Sequence, residues 1–226
     1  MRRRLLTDGV GEGCSSDPGN SMGSIPVVAR RGWWLALGAA AALAVVSLIS
    51  NLTTVSQLSG QADTWLAIRF TLSKLVNAGT VWAGLPILSG WLVRRPLQAA
   101  AAGIVSGLTS LVLHYGLGQL FGVFDSGIWT SNAFWFVAAA MFGGPLGLVG
   151  AIARRSDRWG LLGRLTVPVG AVLQPFALGM FTTPAFLPWP DRLSSTVSGA
   201  LLLTVGILGG ARVLARHKRK HPRGSH

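Results

Sequence analysis

The side chains able to do chemistry inside the long apolar runs of this sequence are few, and they carry no negative charge. All seven acidic residues, Asp8, Glu12, Asp17, Asp63, Asp125, Asp157 and Asp191, fall in tails or between the runs. A proton-coupled pump would place a carboxylate within such a run to bind and release its ion. The single cysteine, Cys14, has no partner for an intrachain disulfide, and the chain lacks Cys/His spacing of the metal-binding kind. A glycine loop followed by Lys-Ser or Lys-Thr, which would cradle a phosphate, is also missing. The expectation is no metal and no cofactor.

Nucleophilic catalysis needs a serine and a histidine base within hydrogen-bond reach. An intramembrane serine protease of the rhomboid type would have to draw them from Ser89 and His114. Ser89 lies near one end of its run, whereas His114 lies 17 residues into the next, about 25 Å from the near end at the helical rise. Opposite depths exclude the pair. What remains is a set of uncharged polar and aromatic groups: Asn77 and Thr80, then His114, Tyr115 and Gln119, then Asn132 and Trp135, and finally Gln174 beside Pro175. All fall in the same half of their runs. Polar groups at membrane depth turn inward, so Asn77, Thr80, His114, Tyr115, Gln119, Trp135 and Gln174 are the candidate substrate-binding residues of one cavity. The plainer alternative is that Asn77, His114 and Gln174 only hydrogen-bond neighbouring helices, as membrane bundles do routinely.

The elements that must position these groups are membrane helices. Half of the 226 residues are hydrophobic and 12% are charged, against about 25% in soluble domains. A bilayer core of about 30 Å takes about 20 apolar residues of helix to cross. Six runs fit: about 33–50, 75–93, 97–123, 132–153, 165–181 and 194–215. The expected fold is an all-α polytopic membrane bundle of about six helices spanning residues 31–216. Residues 1–30 form a disordered tail in which Met22 is a second candidate start, and 217–226 form a basic tail. Residues 61–74 are mildly amphipathic and either extend the second span or lie on the surface as a lid.

Seventeen of the 20 Lys and Arg residues fall on one side of this arrangement, and only Arg69, Lys74 and Arg192 on the other. The positive-inside rule then puts both termini in the cytoplasm of a multi-pass protein of the cell membrane. The net charge of +13 is thereby explained as topology, and no nucleic-acid partner is expected. Trp33, Trp34, Trp91 and Trp159 fall at one interface and Trp65, Trp129 and Trp189 at the other, as aromatic belts do. Trp82 and Trp135 lie deeper.

Ala36, Ala40 and Ala44 make a small-residue ladder in the first span. Gly103 and Gly107 make another, and Gly143, Gly144, Gly147 and Gly150 a third. Such faces let helices approach closely, within the monomer or at a partner subunit. A 60-residue offset superposes Trp82 on Phe142, Gly84 on Gly144, Gly90 on Gly150 and Arg94-Arg95 on Arg154-Arg155. That pattern fits a parallel repeat, although glycine followed by two arginines also suits any cytoplasmic helix end.

The run Asn77-Ala-Gly-Thr-Val-Trp82, with Arg94-Arg95-Pro96, His114-Tyr115-Gly116, Phe134-Trp135 and Gly143-Gly144-Pro145, resembles an uncharacterised family of actinobacterial integral-membrane proteins over roughly residues 35–215. That resemblance implies a topology and no activity. More distantly, six helices without a soluble domain resemble the substrate-binding subunits of energy-coupling-factor vitamin transporters. This second likeness implies a solute pocket near the outer face and an alanine face, here Ala36, Ala40 and Ala44, that docks an energising subunit. The expected partners are therefore the lipid bilayer, a small-molecule solute and a membrane partner subunit. The leading expectation is a solute-binding or transport-associated membrane subunit without catalysis. The alternative is a membrane scaffold that docks partners.

Overall fold

A long apolar segment in lipid satisfies its backbone only by forming helix or a closed barrel, and this chain forms helix. The computed structural model describes residues 27–52 and 63–220. These fold as α1 (Val27–Asn51), α2 (Asp63–Val76), α3 (Gly79–Val93), α4 (Pro96–Leu120), the single turn α5 (Ile128–Ser131), α6 (Ala133–Ile152), α7 (Arg158–Ala177) and α8 (Trp189–Lys220). No strand occurs among the described residues, and the fold is an all-α bundle. Five helical stretches are long and apolar enough to cross a membrane: α1, α2 with α3, α4, α6 and α8. Outward-facing Leu35, Ile49, Leu97, Met141, Leu162 and Val205 leave the bundle with an apolar exterior. Lipid is the solvent that such a surface suits.

Several expected boundaries move. The N-terminal tail is expected to end at residue 30, whereas α1 begins at Val27; the rest of that tail, with Cys14 and Met22, lies outside the described residues. The expected fifth span, 165–181, is instead α7 over Arg158–Ala177, which is not among the five apolar stretches. Its early start has a local cause. The Asp157 carboxylate accepts the Gly160 N–H at 2.9 Å and caps the helix, and this bond holds the Asp157 carboxyl below its usual range. Arg164 then folds back onto the carbonyls of Gly160 and Arg155, both at 2.9 Å. The sixth span lengthens at both ends to 32 residues, taking in Asp191 and the basic residues up to Lys220. The amphipathic segment is α2. It is separated from α3 by a break at Asn77-Ala78, where Ala78 is extended (φ −60°, ψ 136°), and it packs on α8 and α1.

The turn between α3 and α4 is written in its residues. Pro96 is the first residue of α4, where a missing N–H is harmless. Proline also forces Arg95 extended. Arg94 closes α3 at φ 75°, donating its N–H to the Gly90 carbonyl at 3.1 Å.

At the centre α4 packs on α6, α3 and α1, while α3 packs on α6. These helices meet backbone to backbone. A Cβ on Gly90 would collide with the Gly147 carbonyl oxygen, and one on Gly150 with the Ile87 oxygen. A Cβ on Gly147 would meet the Ala99 oxygen, and one on Gly103 the Gly143 oxygen. The Gly90–Gly147 and Ile87–Gly150 contacts exchange under the 60-residue offset, so α3 and α6 meet reciprocally. The alanine ladder is also spent inside the monomer. Ala36, Ala40 and Ala44 are at most 1% exposed, with α1 packed on α4 and α3. The expected docking face is therefore closed to a partner, because the chain's own helices cover it.

Gly147→Ala is expected to lower stability by about 1–3 kcal/mol or more, the usual cost of overpacking. Gly38→Ala and Gly84→Ala should be neutral, since an added Cβ meets nothing within 4 Å at either site. Heat challenge in detergent followed by size-exclusion chromatography reads the difference. Equal losses in all three would refute the backbone contact.

Candidate functional site

Where α4 packs tightly on both α3 and α6, α7 touches both of them sparsely. The space left is a cavity of about 1110 Å³ bounded by α3, α4, α6 and α7, with α2 and α8 at one end. Its wall is mostly apolar, formed by side chains such as Trp82, Pro86, Leu111, Phe142, Leu146 and Leu173. A polar end lies at the break between α2 and α3.

Six of the seven residues expected from sequence line this cavity: Asn77, Thr80, His114, Tyr115, Trp135 and Gln174. Gln119 does not. It sits exposed in the last turn of α4, where its Oε1 accepts the Trp129 Nε1–H at 2.7 Å. Helical phase would place it under Tyr115, but α4 ends one residue later and the loop tryptophan captures it. Asn132 is likewise turned to its own loop, donating to the Ile128 carbonyl at 3.0 Å. Ser89 and His114 have separate partners. Ser89 bonds the Leu85 carbonyl and the Ser106 hydroxyl, each at 2.9 Å.

Asn77 and Gln174 line the cavity and also brace the bundle. The Asn77 carbonyl accepts from the Ser47 hydroxyl at 2.6 Å, and its amide donates to the Ser73 carbonyl at 3.0 Å. Ser73 in turn donates to Asn51 at 2.7 Å. The break is thus tied to the last turn of α1. Gln174 reaches from α7 to the start of α3, where its Oε1 accepts the Thr80 N–H at 2.9 Å. A helix start leaves its first N–H groups without intrahelical partners, and here a residue from another helix supplies the acceptor.

His114 and Tyr115 stand in an aromatic cluster. The His114 ring lies 5.0 Å from Tyr115, 5.5 Å from Phe124 and 6.2 Å from Trp82. Tyr115 also contacts Trp129 and Phe136. The loop after α4 folds Phe124 onto Gly118, where any Cβ would collide with the ring. The His114 Nδ1 faces the Ala44 carbonyl at 3.4 Å. A carbonyl only accepts, so this nitrogen carries the proton, and in a neutral imidazole Nε2 is left as an acceptor.

Sequence reasoning missed the ion pair that closes the polar end. Lys74 Nζ lies 2.7 Å from Asp191 Oδ1 and also donates to the Ser194 and Ser195 hydroxyls at 3.0 and 2.6 Å. The pair is about 28% exposed on each side. The Trp189 indole adds a bond to Asp63 at 3.1 Å and the Ser198 hydroxyl one to the Thr71 carbonyl at 3.3 Å, so α2 and α8 are joined at three points. The signal was present in Ser47, Ser50 and Asn51 at helical spacing, and in Ser194, Ser195 and Ser198. Both groups are polar stripes at span ends facing the same break. No group of three or more His, Cys, Asp or Glu side chains able to hold a metal occurs among the described residues.

Compared with protein-family models, curated proteins and solved structures, the chain matches none of them.

Two outcomes follow from this geometry. Gln174→Leu is expected to cost about 1 kcal/mol by uncapping α3. Lys74→Met and Asp191→Leu should each cost about 1–3 kcal/mol by leaving a charge half-buried and unpaired. The double variant should cost clearly less than their sum. A double-mutant cycle on thermal unfolding in detergent measures the pair, and additive losses would mean that it contributes nothing.

Proposed function

We propose that this chain is a small-molecule-binding membrane protein, a solute-binding or transport-associated subunit, with its site in the cavity at the α2–α3 break. The observation that supports this reading best is convergence. Asn77, Thr80, His114, Tyr115, Trp135 and Gln174 come from sequence positions up to 97 residues apart and share one cavity. Its volume of about 1110 Å³ is slightly above the roughly 300–1,000 Å³ typical of ligand pockets, and a few polar groups set in an apolar wall are the usual pattern of such sites. The alternative of a partner-docking scaffold is less well supported, because the alanine ladder and the glycine faces are occupied within the monomer.

The arginine distribution favours a cell-membrane protein with the Arg94-Arg95 and Arg154-Arg155 turns and both termini in the cytoplasm. The cavity's polar end then lies toward the outside. The distant likeness to energy-coupling-factor substrate subunits agrees with a solute site at that depth. It does not carry over to the docking face, which is buried here.

A thermal-shift screen of the detergent-purified protein tests the reading, using vitamins, nucleobases, small amines and 1-octanoylglycerol. A ligand that binds only the folded state adds about 2.7 kcal/mol at a hundredfold excess over Kd. The expected result is a clear rise in Tm with at least one compound, lost in His114→Ala while that variant still folds. No rise with any compound would remove the reading.

A further inference from the structure

The cavity is not enclosed, and α6 and α7, which touch each other sparsely, flank it. α6 and α7 close on each other near their connecting turn, where Gly163 sits against Ala153 and Val149. Beyond that point they part, and the cavity lies between them, with Phe142 and Leu146 on one side and Leu173 and Ala177 on the other. Phe142 is 60% exposed and Leu173 58%. Both line the cavity wall and keep more than half of their surface accessible in the space between the two helices. Phe142 is the tenth of the 20 residues of α6, so this mouth reaches the middle of the helix. Trp135 and Leu178, also exposed and also on the cavity wall, continue the opening to the polar end.

The polar end holds several groups free to bind and no free charge. Gln174 spends its Oε1 on the Thr80 N–H, so its amide nitrogen remains a donor without a partner among the described residues. The Thr80 hydroxyl is shielded from solvent and has no hydrogen-bond partner among the described residues. The His114 Nε2 is an acceptor, and the Tyr115 hydroxyl is unpartnered among the described residues. Among the described residues Lys74 is the one charged side chain on the cavity wall, and Asp191 already neutralises it. An ionic ligand would have to break that pair or bury its own charge unpaired, which is costly.

We infer that the ligand of this cavity is an uncharged amphiphile that enters sideways from the bilayer through the gap between α6 and α7. Its neutral head, a donor and acceptor of hydrogen bonds, sits at Thr80, His114 and Gln174. Its apolar part lies along Trp82, Leu111 and Phe142. This rests on the reading of the cavity as a small-molecule site and names the class of molecule and its route.

The test uses the full chain in phosphatidylcholine nanodiscs with a monooleoylglycerol analogue bearing a diazirine in its acyl chain. After illumination, cross-linked residues are mapped by mass spectrometry. Labelling is expected at α3, α4 and α6 residues of the cavity wall. A tenfold excess of monooleoylglycerol should compete most of it away, and an equal excess of oleoyl phosphate should compete at least severalfold less. Ala139→Trp fills the cavity from α6 and should abolish the cavity label while lipid-facing labels persist, which also shows that the variant is folded. Labels confined to outward side chains, or equal competition by the anionic lipid, would overturn the inference. If a water-soluble compound raises Tm in a His114-dependent way while the amphiphile never labels the cavity, the route and class fall but the binding site stands. If neither probe engages the cavity, both readings fall.

Discussion

Three helices of this bundle touch through their backbones, and the position of everything else follows from that contact. In lipid there is no hydrophobic drive to hold apolar helices together, so close packing and hydrogen bonds must do it. Glycines at Gly90, Gly103, Gly143, Gly147 and Gly150 remove the side chains that would keep α3, α4 and α6 apart. Dispersion between closely apposed backbones then replaces the missing drive. The same faces fix the register of the helices, because a carbonyl opposite a glycine has no room to slide past a larger residue. A rigid half results, and against it α7 stands off far enough to leave a cavity.

The polar chemistry is concentrated where the second span breaks. A break at membrane depth frees backbone groups that lipid cannot satisfy, and irregular backbone there survives only where protein or a cavity supplies partners. Here Gln174 on α7 accepts the Thr80 N–H and the Asn77 amide donates to the Ser73 carbonyl, while Ser47 and Asn51 on α1 and the Lys74–Asp191 pair between α2 and α8 hold the side chains around the break. Bracing and lining are done by the same side chains. A molecule that bonds Gln174 or displaces α7 acts directly on the cap of α3, and through the break on α2 and α8.

Much of this was legible in the sequence, and the failures have physical causes. Apolar length read out the helices, and the shared depth of Asn77, Thr80, His114, Tyr115, Trp135 and Gln174 brought out their convergence, because polar groups in lipid have nowhere else to turn. Gln119 failed because the end of α4 and the reach of a loop tryptophan are tertiary facts. The start of α7 failed because Arg158 and Arg164 look like span boundaries, whereas capping by Asp157 and folding-back of Arg164 let the helix begin earlier. The alanine ladder was read correctly as a close-packing face. Its partner was not legible, since nothing in Ala36, Ala40 and Ala44 says whether the neighbour belongs to the same chain. The Lys74–Asp191 pair joins residues 117 positions apart, beyond any local pattern.

The reciprocal meeting of α3 and α6 is locally two-fold symmetric. Gly90 against Gly147 and Ile87 against Gly150 exchange under a shift of 60 positions, the pairing that an isologous contact makes. The helices that follow break that equivalence. α4 packs tightly on α6, whereas α7, its counterpart under the same shift, touches α3 sparsely. A symmetric pair would have two equivalent sides and no preferred place to hold a guest; here the sides differ, and the cavity lies on the looser one.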